Sequence, residues 1–230
     1  MALLSIKDVK YQYKNKYQTV DALRGINFEF EERKVYALVG KSGSGKTTLL
    51  SLLAGLDVPT EGTITFEGRD TKKMDRDKYR REDATVIYQN FNLLPLLTVL
   101  ENVMYPLELK GMKKSDAREI AAQAIAKVDL DPEVYANRLP AMLSGGERQR
   151  IAIARALATD SKMILADEPT GNLDEGNSAN VMDILTKLSH EEGYCIIIVT
   201  HDLNLAAKAD VIVRIIDGVL YEEKSGESKE

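Results

Sequence analysis

The sequence predicts an α/β fold, with a parallel core, an antiparallel β layer beside it, and an inserted helical lobe. Three observations carry that prediction. The apolar runs Val35–Val39, 163–166 and 195–200 are continuous rather than alternating, the pattern of strands covered on both faces. Segments with apolar residues at helical spacing lie between the runs. The first 34 residues instead alternate, as half-buried antiparallel strands do.

In chain order, segments 4–9 and 26–30 alternate, and 63–66, flanked by Gly62 and Gly68, joins the same layer. Val35–Val39 ends at a glycine, and 48–56 reads as a helix. The stretch 89–161 is strongly helical, with a stripe of Ile120, Ala124, Ile125 and Val128 after Ser115. Ser144 and Glu147 form a capping box for a helix running to about Ala158. Run 163–166 ends at Asp167. Val181, Ile184, Leu185 and Leu188 line the next helix, which Gly193 stops. Run 195–200 ends at His201, and 222–230 is polar enough to fray. The chain reads as a single domain, 1–230, with 1–88 and 162–230 as core and 89–161 as the lobe.

Composition excludes several classes. Of 230 residues, 44% are apolar, enough for a sizeable core, and 31 basic against 36 acidic residues leave a net charge of −5. No nucleic-acid partner is expected, because neutralising phosphates needs a cationic face. The single cysteine, Cys195, rules out an intrachain disulfide and lies in an apolar strand, where inert packing is its role. The start, MALLSIKDVKYQY, is charged within seven residues, unlike a signal peptide. Apolar runs such as 49–56 fall far short of the ~20 residues that span a bilayer. A soluble, cytosolic chain is expected.

The sharpest motif is Gly40-Lys41-Ser42-Gly43-Ser44-Gly45-Lys46-Thr47, which fits G-x-x-x-x-G-K-[ST] between a strand and a helix. Its glycines let backbone N–H groups turn toward phosphate oxygens, and Lys46 supplies a cation for the β- and γ-phosphates. The Thr47 hydroxyl suits Mg2+, and Thr48 opens a helix whose positive end faces the anion. A nucleoside triphosphate is the ligand this predicts.

Leu143-Ser144-Gly145-Gly146-Glu147-Arg148-Gln149-Arg150 is a second candidate anion site, two glycines opening the first turn of a capped helix. An ordinary capped helix would look the same. Asp167 and Glu168 close a buried strand, pointing in different directions, so one carboxylate can serve Mg2+ while the other acts as general base. An acidic strand-to-loop junction is the plainer alternative. His201, also at a strand end, is either a site residue or a histidine bonded to a carbonyl. His190 ends a helix and complements its dipole.

Taken together, the phosphate loop, LSGGERQR at 143–150 and MILADEPTGNLD at 163–174 resemble the nucleotide-binding subunit of an ATP-binding cassette (ABC) transporter, over essentially the whole chain and in the family's order. The resemblance implies a P-loop NTPase core and ATP hydrolysis. It implies that Ser144, Gly145 and Gly146, with Glu147 as cap, reach the γ-phosphate of an ATP held by a second copy, in a head-to-tail dimer around two Mg-ATP. Asp167 would then hold Mg2+ through water, Glu168 would activate the attacking water, and His201 would be the switch histidine. Gln89 matches the residue that reaches Mg2+ and the water and links the lobes, and Asp174 matches the loop that crosses the dimer interface. Tyr13 aligns with the aromatic on adenine, with Tyr11 as alternative and Val20 as an added apolar contact.

The segment 91–103 is too apolar for a free loop. Leu96 and Val99 are expected in the core of the lobe, and the remaining hydrophobes in a groove for a cytoplasmic helix of a membrane partner. QNFNLLPLLTVLENV, YPLELKGM and DEPTGNLD are similar to the branch of lipoprotein-release, macrolide-export, haem-export, antimicrobial-peptide-resistance and cell-division ATPases. The chain departs from commoner forms in VIYQ and LPAM. The branch implies a transmembrane permease with a large extracytoplasmic domain, efflux or mechanotransmission, and a place on the cytoplasmic face of the membrane. An importer ATPase and a division-site regulatory ATPase are the alternatives.

Overall fold

A computed structural model gives the fold of residues 2–223. In chain order the chain forms β1 (Ala2–Lys14), β2 (Thr19–Glu31), β3 (Val35–Val39), α1 (Lys46–Leu53), β4 (Glu61–Phe66) and β5 (Arg69–Asp70). Then come α2 (Arg76–Glu82), β6 (Ala84–Tyr88), α3 (Val99–Leu109), α4 (Lys114–Lys127), α5 (Pro132–Tyr135) and α6 (Gly145–Leu157). The chain continues through β7 (Met163–Asp167), α7 (Glu175–Glu192), β8 (Cys195–Val199), α8 (Leu203–Ala206), β9 (Val211–Ile216) and β10 (Val219–Glu223).

Two sheets result. One is antiparallel, in the order β2-β1-β4-β5; the other runs β10-β9-β3-β8-β7-β6. All pairings in the second are parallel except β9 with β10, a hairpin turning at Asp217 and Gly218. The continuous apolar runs follow from burial on both faces. Along β8, Cys195, Ile197 and Val199 enter a core shared with the antiparallel sheet and α1, while Ile196 and Ile198 enter a core shared with α3, α4, α6 and α7. Period-two alternation therefore divides one apolar string between two cores. Cys195 is fully buried, and burial pushes its thiol up to about 12, so it is chemically quiet at neutral pH.

Three expectations need correction. Val99 is fully buried, but Leu96 is 89% exposed and belongs to no core. The cause is Asn102: buried in α3, it accepts from the Leu94 N–H and donates to the carbonyls of Leu94, Leu97 and Thr98. That knot ties down the backbone of 94–98 and leaves the Leu96 side chain outside. His190 does more than face a helix end, since its Nε2 lies 3.0 Å from the Asp210 carboxylate. Of the stretch expected to fray, Glu222 belongs to β10, and 224–230 lie outside the described residues.

Candidate functional site

Strand order assembles the site. β3, β8, β7 and β6 are consecutive neighbours, and each hands a motif to the same sheet edge: the Gly40–Thr47 loop, His201, Asp167 with Glu168, and Gln89. At ~4.8 Å per strand, that row spans roughly 14 Å. A cavity of about 550 Å3 opens there, lined in part by Tyr13, Val20, Gly40, Ser42, Gly43, Gly45, Lys46, Thr47, Thr48, Asp167, Glu168 and His201.

The loop is held tightly. Gly45 has φ 111°, and a Cβ on it would sit 2.6 Å from the Ala22 carbonyl oxygen, so only glycine fits. Lys46 is 9% exposed and arches back over the loop, donating to the carbonyls of Gly40 at 2.8 Å and Lys41 at 3.0 Å. The first N–H groups of α1 have no partner inside the helix and point with its positive end at the cavity. Lys41 and Ser44 instead line a separate cavity of about 350 Å3 toward 214–217, and the buried Ser44 hydroxyl has no hydrogen-bond partner among the described residues.

Two carboxylates meet the loop from β7. Burial, reinforced by the neighbouring Glu168 charge and offset by Lys46, pushes the Asp167 carboxyl above its ordinary range. Glu168 is left-handed at φ 47°, while its N–H extends the ladder to the Val199 carbonyl at 2.9 Å. A non-glycine residue held this way turns its side chain off the strand's alternation. Its Oε1 comes to 3.1 Å from Nδ1 of His201, so a strand-end carboxylate and imidazole form a pair over the cavity. Gln89 reaches the same place from β6. Its Nε2 is 3.4 Å from Asn172 Oδ1, and a Cβ on Gly171 would lie 2.7 Å from that Nε2 and 3.3 Å from Glu168 Oε2.

The tyrosines separate. The Tyr13 ring lines the cavity with its hydroxyl 3.2 Å from Thr48 Oγ1, whereas the Tyr11 hydroxyl donates to Asp57, which helps push it up to about 12.

The remaining candidates lie elsewhere. Ser144 caps α6 and accepts from the Glu147 N–H, while Glu147 accepts from the Ser144 N–H at 2.7 Å and the Tyr135 hydroxyl at 2.6 Å. Those two donors hold the Glu147 carboxyl below its usual range. Gly146 is buried, and a Cβ there would sit 2.1 Å from Asn177 Oδ1, so the starts of α6 and α7 touch. Asp174 caps α7, accepting from the N–H and side-chain amide of Asn177. None of Ser144, Gly145, Gly146, Glu147 and Asp174 lines the 550 Å3 cavity.

Sequence reasoning missed Asn172, Asn177 and Tyr135. Asn172 stands within the quoted GNLD, so its place beside a site loop was a usable signal; Tyr135 carries none, being 12 residues from Glu147. No group of histidine, cysteine and carboxylate residues that could hold a metal by itself occurs among the described residues.

Comparison with known proteins fits this geometry. The profile of the ABC transporter family matches residues 23–171. The lipoprotein-releasing system ATP-binding protein LolD of Hydrogenovibrio crunogenus is 41% identical, covering 94% of each chain. The macrolide export ATP-binding/permease protein MacB of Syntrophobacter fumaroxidans is 42% identical over 97% of this chain but only 32% of its own length. Among solved structures, the dimeric ABC transporter cassette MJ0796 of Methanocaldococcus jannaschii superposes with a TM-score of 0.86 at 39% identity, covering 96% of this chain and 98% of that one. MJ0796 has also been solved as a dimer in a post-hydrolysis state with ADP and Pi. Cradle, paired carboxylates and relatives agree: the chain belongs to the ABC transporter family, as an ATP-binding cassette that hydrolyses ATP.

Proposed function

We propose that two copies of this cassette close head-to-tail on two ATP molecules and thereby drive a separate transmembrane partner of the efflux or mechanotransmission type. One observation carries the reading. The phosphate cradle and the capped tip of α6 are both built for anions, yet they occupy different places on one chain. A second copy, turned end for end, supplies to each cradle the Ser144–Gly145–Gly146 tip it lacks, with Asp174 beside the crossing. The dimeric state of MJ0796 supports this arrangement.

Within each site, Lys46 and the loop N–H groups bind the β- and γ-phosphates, and Tyr13 stacks on adenine. Thr47 and Asp167, with Gln89, offer the hard oxygen donors that fit Mg2+, and a cation beside Asp167 would offset the burial that pushes its carboxyl above the ordinary range. When bound, Mg2+ neutralises charge on the phosphate oxygens. Glu168 takes the proton of the water that attacks the γ-phosphorus, and His201 orients that carboxylate and faces the γ-phosphate.

The partner's short cytoplasmic helix docks beside the lobe. The groove is not formed by residues 91–103 as expected, since Leu100 and Val103 are buried in the core. A cavity of about 260 Å3 lies instead between α2, β6, α3 and α6, with Tyr105, Pro106 and Leu109 as its apolar wall and Arg80, Arg81 and Lys110 around it. Leu109 and the outlying Leu96 are well exposed. No helix among the described residues is long and apolar enough to cross a membrane. In this reading the membrane partner holds the cassette at the cytoplasmic face. The release and export for which LolD and MacB are named favour the outward direction.

Glu168→Gln tests the reading. With Mg-ATP it is expected to keep nucleotide, lose turnover by a factor on the order of 100 to 10,000, and elute at twice the 25.6 kDa chain mass. A strictly monomeric profile, even with the membrane partner supplied, would sink the split-site engine.

A further inference from the structure

Arg155 is an unusual cation. It lies near the end of α6, largely withdrawn from water, and no carboxylate pairs with it among the described residues. Burial disfavours its charge, yet a guanidinium stays protonated, so its donors must be used. They are: Nη1 donates to the Asn92 carbonyl at 2.6 Å and Nη2 to the Phe91 carbonyl at 2.9 Å. Phe91 and Asn92 are both left-handed, at φ 60° and 48°. Two consecutive non-glycine residues in that region, one of them aromatic, persist only where the surroundings over-determine them. Arg155 supplies the fork, the Phe91 N–H donates to the Tyr88 carbonyl at 3.1 Å, and the Arg148 guanidinium stands 5.8 Å from the centre of the Phe91 ring.

The bend so fixed begins directly after Gln89. It returns the chain toward Asn172, which donates to the Gln89 carbonyl at 3.1 Å. We propose that Arg155 is a positioning residue for ATP hydrolysis: its two-pronged grip on the Phe91 and Asn92 carbonyls fixes the bend that presents Gln89 to the Glu168 site. The same grip ties that bend to α6, whose other end is the Ser144 tip, so both motifs ride on one helix. The proposal rests on Gln89 acting in hydrolysis. A lysine keeps the charge but cannot span two carbonyls with a planar fork.

The test is steady-state ATPase kinetics of Arg155→Lys, Gln89→Ala and the double variant, with Mg2+ titrated at saturating ATP. Arg155→Lys is expected to lower kcat about tenfold or more, since small misplacement at a reacting centre is costly. KM for ATP should stay within about twofold, and half-maximal activity should need more Mg2+. In the Gln89→Ala background the same substitution should have almost no further effect on kcat, because both act through one group. Wild-type kcat in Arg155→Lys, or a full tenfold loss on top of Gln89→Ala, overturns the proposal. Gln89→Ala turning over like wild type overturns instead the role given to Gln89. Should Arg155→Lys fail to fold, Asn92→Pro attacks the same bend from an exposed position, because proline cannot adopt φ 48°. It should reproduce the loss and the non-additivity, and a wild-type rate there also overturns the proposal.

Discussion

Asp167 ends its strand half-buried, with a second carboxylate beside it, and both facts disfavour its charge. The sign of the consequence is fixed. A carboxyl whose proton affinity is raised only in the folded state costs stability once pH has risen through that raised value. The cost disappears below about pH 4, where the unfolded carboxyl is protonated as well. Asp167→Asn is therefore expected to raise Tm at pH 7, with the advantage closing as the pH is lowered, while ATP turnover is lost. Thermal melts over a pH series check this, and a variant melting below wild type at pH 7 would contradict it. Asp167, Glu168 and His201 were legible because each stands at the end of a continuous apolar run. The Glu168–His201 contact was not, because it depends on the left-handed turn at Glu168 and on β7 lying beside β8. Arg155 was equally hidden, its acceptors lying 63 and 64 residues away.

Two helices of the lobe start with the same device. Thr98 caps α3 and Ser144 caps α6, each in a reciprocal box with a glutamate three residues on. Removing either hydroxyl should cost about 1 kcal/mol, or on the order of 2–4 °C in Tm for a domain of this size. Only Ser144→Ala should also depress ATPase activity, because in the proposed head-to-tail dimer only α6 presents its tip to a second copy. Equal loss of turnover in Thr98→Ala and Ser144→Ala would reduce the α6 tip to a stabilising cap. At this scale, elements with a strong local signature were readable: Val35–Val39 by continuity, α7 by its apolar stripe and the stop at Gly193, α6 by its capping box. β9 and β10 went unread although Asp217-Gly218 between two apolar segments is a hairpin signal, masked by their position beyond the last recognised motif. β6 is five residues long and follows a charged helix, so nothing local announced it. Leu96 misled for another reason: apolarity is local, whereas the polar knot at Asn102 that turns it outward is tertiary.

The division of the site between two chains proposed above makes a further prediction that only the assembly can show. Lys46→Ala leaves a chain with a sound α6 tip, and Ser144→Ala leaves a chain with a sound cradle. Each alone should be nearly inactive. Mixed in equal amounts, half the dimers carry one intact composite site, so turnover should recover to about a quarter of wild type. Activity of the mixture no higher than the mean of the two variants would mean each chain holds a complete site. The overall architecture was largely foreseeable because strand pairing obeys few rules once the parallel core is recognised. How one face of the sheet shares its core with the lobe was not, since the joint core draws on α3, α4, α6, α7 and the four strands β3, β6, β7 and β8 at once.

The arch of Lys46 over its own loop has a last consequence. Its ammonium, bonded to two loop carbonyls, keeps the cradle wound around an internal cation, as a rigid mould rather than a closing hand. Loading or emptying such a mould asks for the swing of a single side chain, not the slow reordering of a backbone segment. In the proposed dimer, the tempo of the cycle would then be set where the two protomers meet and part.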